Sequence, residues 1–345
     1  MKTSAPKELL TSKKSIDKRI LLFFNSVIQK AKKTDPSHVH VYTVLRDYCL
    51  RNGKRLRGYL VLLGYKIAGK KQNAAILDIA VGMELMHAVL LIHDDIIDND
   101  VLRRGDITLH EMLSREFGSK KKGIEAAKAY GDILTSLALD IMLDASFPAK
   151  KKVEVFKIIS SMSLSTANGE LMDIVYSFQG VDQKIVEKIL LLKTARYTVS
   201  LPLAVGYVLG GGKKFLALLK QAGELFGIAF QIRDDTLGVF GKKAEQNMGS
   251  DFREAKPFVL APLITKHLSK QQQKTLKNIS KKVAMKKDEL KKLQELMEIK
   301  KISHKAFELA ETYRERAKKQ LARIRAPKVR KELLSIIDYV LERND

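Results

Sequence analysis

The chain has few of the residues that break, cross-link or anchor a helical protein. A single cysteine, Cys49, in 345 residues excludes an internal disulfide and a cysteine-ligated metal cluster. Seven prolines and 20 glycines leave long stretches free of helix breakers. Tryptophan is absent, and no recognisable nucleic-acid module accompanies the basic residues, so a nucleic-acid reading rests on charge alone. No uninterrupted apolar run approaches the roughly 18 to 20 residues of a membrane helix. The nearest, Leu201 to Gly212, is short and carries Pro202 and four glycines. Met1 to Arg19 holds too many charges for a signal-peptide core. These absences lead us to expect a cytoplasmic protein with at most peripheral membrane contact and no nucleic-acid partner.

Leucine, lysine, alanine, isoleucine and glutamate dominate what is present, and all but isoleucine are among the better helix formers. The expected fold class is therefore all-α. With 45% hydrophobic residues and no linker, residues 1–345 read as one domain. It includes a Lys-rich N-terminal helix over about 8–34 and Lys-rich helices over about 257–345. The net charge of +24 attracts nucleic acid, anionic lipid and phosphorylated metabolites alike. Its lysines alternate with apolar residues at helical spacing, which is the pattern of solvated helix faces.

The periodicity predicts helices over Ile16–Lys32, Leu56–Lys70, Ala74–Val101, Glu125–Leu143, Lys152–Ser177, Gln183–Tyr197 and Phe215–Phe240. The only two adjacent Asp-Asp pairs in the chain fall inside apolar stretches of this series. One is Leu90-Leu91-Ile92-His93-Asp94-Asp95-Ile96-Ile97-Asp98, the other Phe230-Gln231-Ile232-Arg233-Asp234-Asp235. On a helix, Asp94 and Asp98 lie one turn apart and share a face. A lone pattern of this kind is as often a solvated acidic patch as a site. A second pair, with cationic groups at Lys54, Arg57, Arg103, Arg104 and Lys193, shifts the balance towards carboxylates that share magnesium with substrate phosphates.

Taken together, Gly53-Lys54-Arg55-Leu56-Arg57, His87 to Asp98, Arg103-Arg104-Gly105, Lys193-Thr194, Phe230 to Asp235 and Gly249-Ser250-Asp251 resemble the trans-isoprenyl diphosphate (polyprenyl) synthases, most of all the geranylgeranyl diphosphate synthases. Six motifs in the family's order span nearly the whole chain. The resemblance implies a single bundle of about a dozen helices around a deep central cavity, usually a homodimer, with the aspartate motifs facing each other at its mouth. It implies a prenyltransferase that joins isopentenyl diphosphate to an allylic diphosphate, head to tail. Asp94, Asp95, Asp98 and Asp234, assisted by Asp235, would hold about three magnesium ions. Arg103, Lys193, Thr194, Gln231 and Lys256 would contact the allylic diphosphate, while Lys54, Arg57, His87 and Arg104 would hold isopentenyl diphosphate. Asp94, Asp95, Asp98, Lys193 and Asp234 form the implied catalytic set. His93 supports the metal-binding helix.

The chain departs from the family pattern at four places. Gly238 stands where many members have a third aspartate, and Gly58 replaces a frequent proline. Gln246 stands for a common lysine, and Ala255 for the usual glycine before Lys256. Val89 and Leu90 lie about 6 to 8 Å back along the helix from Asp94, where the growing tail should run. Neither is the aromatic residue that commonly shortens the product, so geranylgeranyl diphosphate, with twenty carbons, is expected. The alternatives are a longer-chain or farnesyl diphosphate synthase, a class I terpene cyclase, and a basic nucleic-acid-binding helical protein. A cyclase would require a different second motif and would not need Lys54 and Arg57.

Overall fold

The computed structural model describes residues 6–103, 105–176, 182–240, 259–274, 287–299, 301–324 and 327–342. These residues are almost entirely helical, as the composition predicts; the one sheet among them is a two-stranded hairpin. They fall into two compact units.

The first unit comprises residues 6–156 and 202–213. Helix α1 (Lys7–Thr34) buries Leu9, Ile16, Ile20, Phe24, Ile28 and Ala31, a stripe at three-, four- and seven-residue spacing. After a short 3-10 turn come α2 (Val39–Leu50), α3 (Leu56–Ile67) and α4 (Ala74–Ile97). Asn73 starts α4 by accepting the Ile76 amide at 3.0 Å. Helix α4 is buried on most sides and packs on α1, α3 and α6. Each of its fully buried leucine and isoleucine side chains contributes about 1.5 to 3 kcal/mol through burial. Strands β1 (Leu102–Arg103) and β2 (Asp106–Ile107) pair antiparallel around Gly105, at φ 88°. Then follow α5 (Leu109–Glu116) and α6 (Lys120–Asp144), with Ser119 as the N-cap of α6.

The second unit contains the described residues of 157–201 and 214–342. Its elements are the main part of α7 (Ala149–Tyr176), α8 (Gln183–Ile189), a π-helical segment (Leu190–Ser200) and α10 (Leu216–Phe240). Most of the intervening helix α9 (Leu201–Leu209) belongs to the first unit. Helices α11 (Leu260–His267), α12 (Lys287–Ile299), α13 (Ile302–Ala322) and α14 (Pro327–Glu342) complete the unit. Helix α10 is its centre, packed against the π-helical segment, α13 and α14.

The expectation about membrane helices needs correction. Ala74–Ile97 and the helical stretch Gln183–Leu209 are both long and apolar enough to cross a membrane, with mean hydropathy 2.0 and 1.2 over their most apolar windows. Counting only uninterrupted apolar residues missed them. Those windows are 61% and 72% buried inside the protein, the condition of core helices.

Candidate active site

The first acidic motif occupies the C-terminal end of α4. The Asp98 amide donates to the Asp94 carbonyl at 2.9 Å, which places the two residues one helical turn apart. Both are half-buried, whereas Asp95 turns inward and is 1% exposed. Arg103, on β1, donates through Nε to Asp95 Oδ1, and through Nη2 to Asp94 at 3.2 Å and Asp100 at 3.5 Å. The Tyr48 hydroxyl of α2 donates to the second Asp95 oxygen at a long 3.5 Å. Both Asp95 oxygens are thus engaged within the protein.

The hairpin that carries Arg103 is fixed in turn. Arg51 donates to the Ile107 carbonyl at 2.6 Å and lies 4.8 Å from the centre of the Tyr48 ring. The Thr108 hydroxyl donates to the Asp100 carbonyl at 2.7 Å. Burial pushes the Asp95 carboxyl up to about 7 against the pull of Arg103, and the neighbouring Asp94 and Asp100 charges act in the same direction as burial. Burial works against the Arg103 charge, but Asp95, Asp94 and Asp100 outweigh it and keep the guanidinium protonated.

Further back along α4 lie Leu90, half-buried, Val89, buried, and His87, half-buried. Lys54 is exposed in the loop before α3, and Arg57 is half-buried in the first turn of that helix. The Gly58 amide donates to Glu84 of α4 at 2.7 Å. That bond joins the residue after Arg57 to the helix turn that precedes His87.

The second acidic motif lies on α10. Asp234 is exposed, whereas Asp235 is buried and accepts from the Gln231 amide nitrogen at 2.7 Å and from the Val259 amide at 3.2 Å. The two motifs therefore share a pattern in which one carboxylate of each adjacent pair is buried and the other lies nearer the surface. Lys193 and Thr194 sit in the π-helical segment, a conformation frequent at functional sites. Lys193 Nζ is held by Asp173 at 2.6 Å and Glu170 at 2.8 Å, both on α7. Gly169 makes this approach feasible, because a Cβ there would lie 2.3 Å from the Lys193 amide nitrogen.

Arg104, Gln246, Gly249-Ser250-Asp251, Ala255 and Lys256 lie outside the described residues. Sequence reasoning missed Tyr48, Asp100, Glu170 and Asp173. For the last two a signal existed: after Lys157 the chain runs without a charged residue to Glu170, and Asp173 follows at helical spacing.

The donors at both motifs are carboxylate oxygens, the ligands that magnesium prefers. Among the described residues no three His, Cys, Asp or Glu side chains are grouped to enclose an ion by themselves. Magnesium does not require such a cage, since it keeps waters and shares substrate phosphates with one or two carboxylates. The residues present fit that mode of binding.

Comparison with known proteins agrees with this chemistry. The polyprenyl synthetase family profile matches residues 38–297. A short chain isoprenyl diphosphate synthase of Methanocaldococcus jannaschii is 28% identical over 81% of this chain and 84% of its own. A geranylgeranyl pyrophosphate synthase of Geoglobus acetivorans is 28% identical over 95% of this chain and 98% of its own. Among solved structures, the geranylgeranyl pyrophosphate synthase of Corynebacterium glutamicum, complexed with isoprenyl diphosphate and magnesium, superposes with a TM-score of 0.88. It is 25% identical, covering 95% of this chain and 97% of that one.

Proposed function

The chain belongs to the polyprenyl synthetase family and is a trans-prenyltransferase, and from that premise we propose which residues carry the reaction and what it makes. The substrates are isopentenyl diphosphate and an allylic diphosphate, joined head to tail, and the family works with magnesium. Asp94, Asp98 and Asp234 would hold about three magnesium ions per site; Asp95 and Asp235, which the sequence places in the same set, take a supporting role in this reading. The observation that carries this reading is the difference in burial within each Asp-Asp pair: Asp95 and Asp235 are buried, while Asp94 is half-buried and Asp234 exposed. Asp95 and Asp235 thus position Arg103 and Gln231 and stiffen the helix ends that bear the ligands.

When bound, magnesium supplies Lewis-acid stabilisation of the departing diphosphate. The protein side chains provide the rest. Arg103, Lys193, Thr194, Gln231 and Lys256 bind the allylic diphosphate and offset the negative charge that grows as its C–O bond ionises. Arg103 and Lys193 suit this role because each is already fixed by two or more carboxylates. Lys54, Arg57, His87 and Arg104 orient isopentenyl diphosphate so that its double bond meets the allylic carbon. That double bond is the nucleophile, and the proton lost afterwards goes to the released diphosphate, so neither a protein nucleophile nor a protein base is required.

The product is geranylgeranyl diphosphate, a reading supported by the aliphatic Val89 and Leu90 on α4. The enzyme acts as a homodimer, which an exposed apolar stripe at Leu164, Leu171 and Val175 of α7 supports. Chromatography of the products from dimethylallyl and farnesyl starters tests the chain length. Twenty carbons should dominate in the native enzyme, and Val89→Phe should shift the distribution to shorter chains. A dominant fifteen-carbon product from the native enzyme contradicts the length while leaving the reaction class intact.

A further inference from the structure

The first turn of α3 cannot satisfy its own backbone. Its N-cap residue is Arg55, whose side chain makes no capping bond and whose backbone lies in the left-handed region at φ 52°. The opening amides of a helix have no acceptor within it. Here the Gly58 amide is answered from another helix, by the buried carboxylate of Glu84 at 2.7 Å. A carboxylate at a helix N-terminus is also favoured by the helix dipole. The proline frequent at this place in the family would have no N–H to donate. Glycine admits close neighbours as well: a Cβ at residue 58 would lie 2.8 Å from Ile16 Cδ1 and 3.0 Å from the Ala80 carbonyl oxygen.

Arg55 is secured in a similar way. Its side chain is 8% exposed, and Nε donates to Asp17 of α1 at 2.6 Å, while Nη2 donates to the Arg51 carbonyl at 3.1 Å. Removing a partner from a buried guanidinium leaves an uncompensated charge, so this contact holds the backbone at residue 55 in place. The two anchored residues adjoin the two substrate cations in sequence, Arg55 beside Lys54 and Gly58 beside Arg57. Glu84 stands one turn before His87 on α4, and residues at that spacing share a face.

We propose that Glu84 and Asp17 are positioning residues for isopentenyl diphosphate. Glu84 locks the first turn of α3, and with it Arg57, to the helix that bears His87. Asp17 locks Arg55, and with it the backbone of Lys54. Glu84 acts through the Gly58 amide and Asp17 through Arg55, with Lys13 on the other Asp17 oxygen at 2.8 Å. The inference rests on the assignment of Lys54, Arg57 and His87 to isopentenyl diphosphate.

The test uses full-length Glu84→Ala, Glu84→Gln and Asp17→Asn, with Lys54→Ala as reference. It measures KM separately for isopentenyl diphosphate and for the allylic starter, together with kcat and the melting temperature. Glu84→Ala should raise KM for isopentenyl diphosphate about tenfold and leave the allylic KM within about twofold. Glu84→Gln keeps an oxygen for the Gly58 amide and should recover most of that loss. Asp17→Asn should move the same constant about threefold. An equal rise in both KM values, or a lower melting temperature with both KM values unchanged, overturns the proposal. If Glu84→Ala does not fold, the glutamine and asparagine variants decide by the same selectivity. If Lys54→Ala leaves KM for isopentenyl diphosphate unchanged, the site assignment itself falls and the proposal falls with it.

Discussion

Asp94 and Asp95 are neighbours in sequence but differ in burial, and so do Asp234 and Asp235. Charge placed within apolar helices made both pairs legible in the sequence. Which member of each pair faces inward was not legible, because that depends on where the helix meets its neighbours. Tyr48 and Val259, which touch the buried carboxylates, are distant in sequence and carry no motif. Asp94→Asn and Asp234→Asn should each lower kcat about 10²- to 10³-fold, the size of loss expected when a group that stabilises developing charge is removed. Asp235→Asn keeps an acceptor for Gln231 or Val259 and should lose much less. Steady-state kinetics at saturating magnesium checks this, and equal losses at Asp234 and Asp235 would reject the difference in role.

Helix α4 was the easiest element to read, since its long apolar period and its Asn73 cap are both local signals. The β1–β2 hairpin and α5 were not anticipated. Two-residue strands carry no period, and Arg103-Arg104-Gly105 reads simply as the end of a helix. The π-helical form of Leu190–Ser200 was equally hidden, because nothing in Leu-Leu-Leu-Lys-Thr-Ala-Arg distinguishes it from an α-helix. Its close packing depends on glycines of other helices: a Cβ at Gly227 would lie 2.5 Å from Ala195 Cα, as one at Gly169 would crowd Lys193. Gly169→Ala should therefore displace the Lys193 segment, cost about 1 to 3 kcal/mol of stability and raise KM for the allylic diphosphate. Calorimetry combined with separate KM measurements for the two substrates checks it. A fall in stability with the allylic KM unchanged would place Gly169 in packing alone.

At the scale of the whole molecule, the all-α class followed from composition and punctuation. The two compact units did not, because no linker marks a boundary and each unit gathers discontinuous stretches of chain. The net charge of +24 suits an enzyme whose two substrates both carry diphosphates. The central claim is magnesium-dependent transfer between those substrates, and the transfer of labelled isopentenyl diphosphate onto an allylic acceptor measures it most directly. Purified enzyme should convert the label into a longer prenyl diphosphate, stop when EDTA is added and resume when magnesium is restored. Failure to elongate dimethylallyl, geranyl or farnesyl diphosphate at any magnesium concentration would contradict the account.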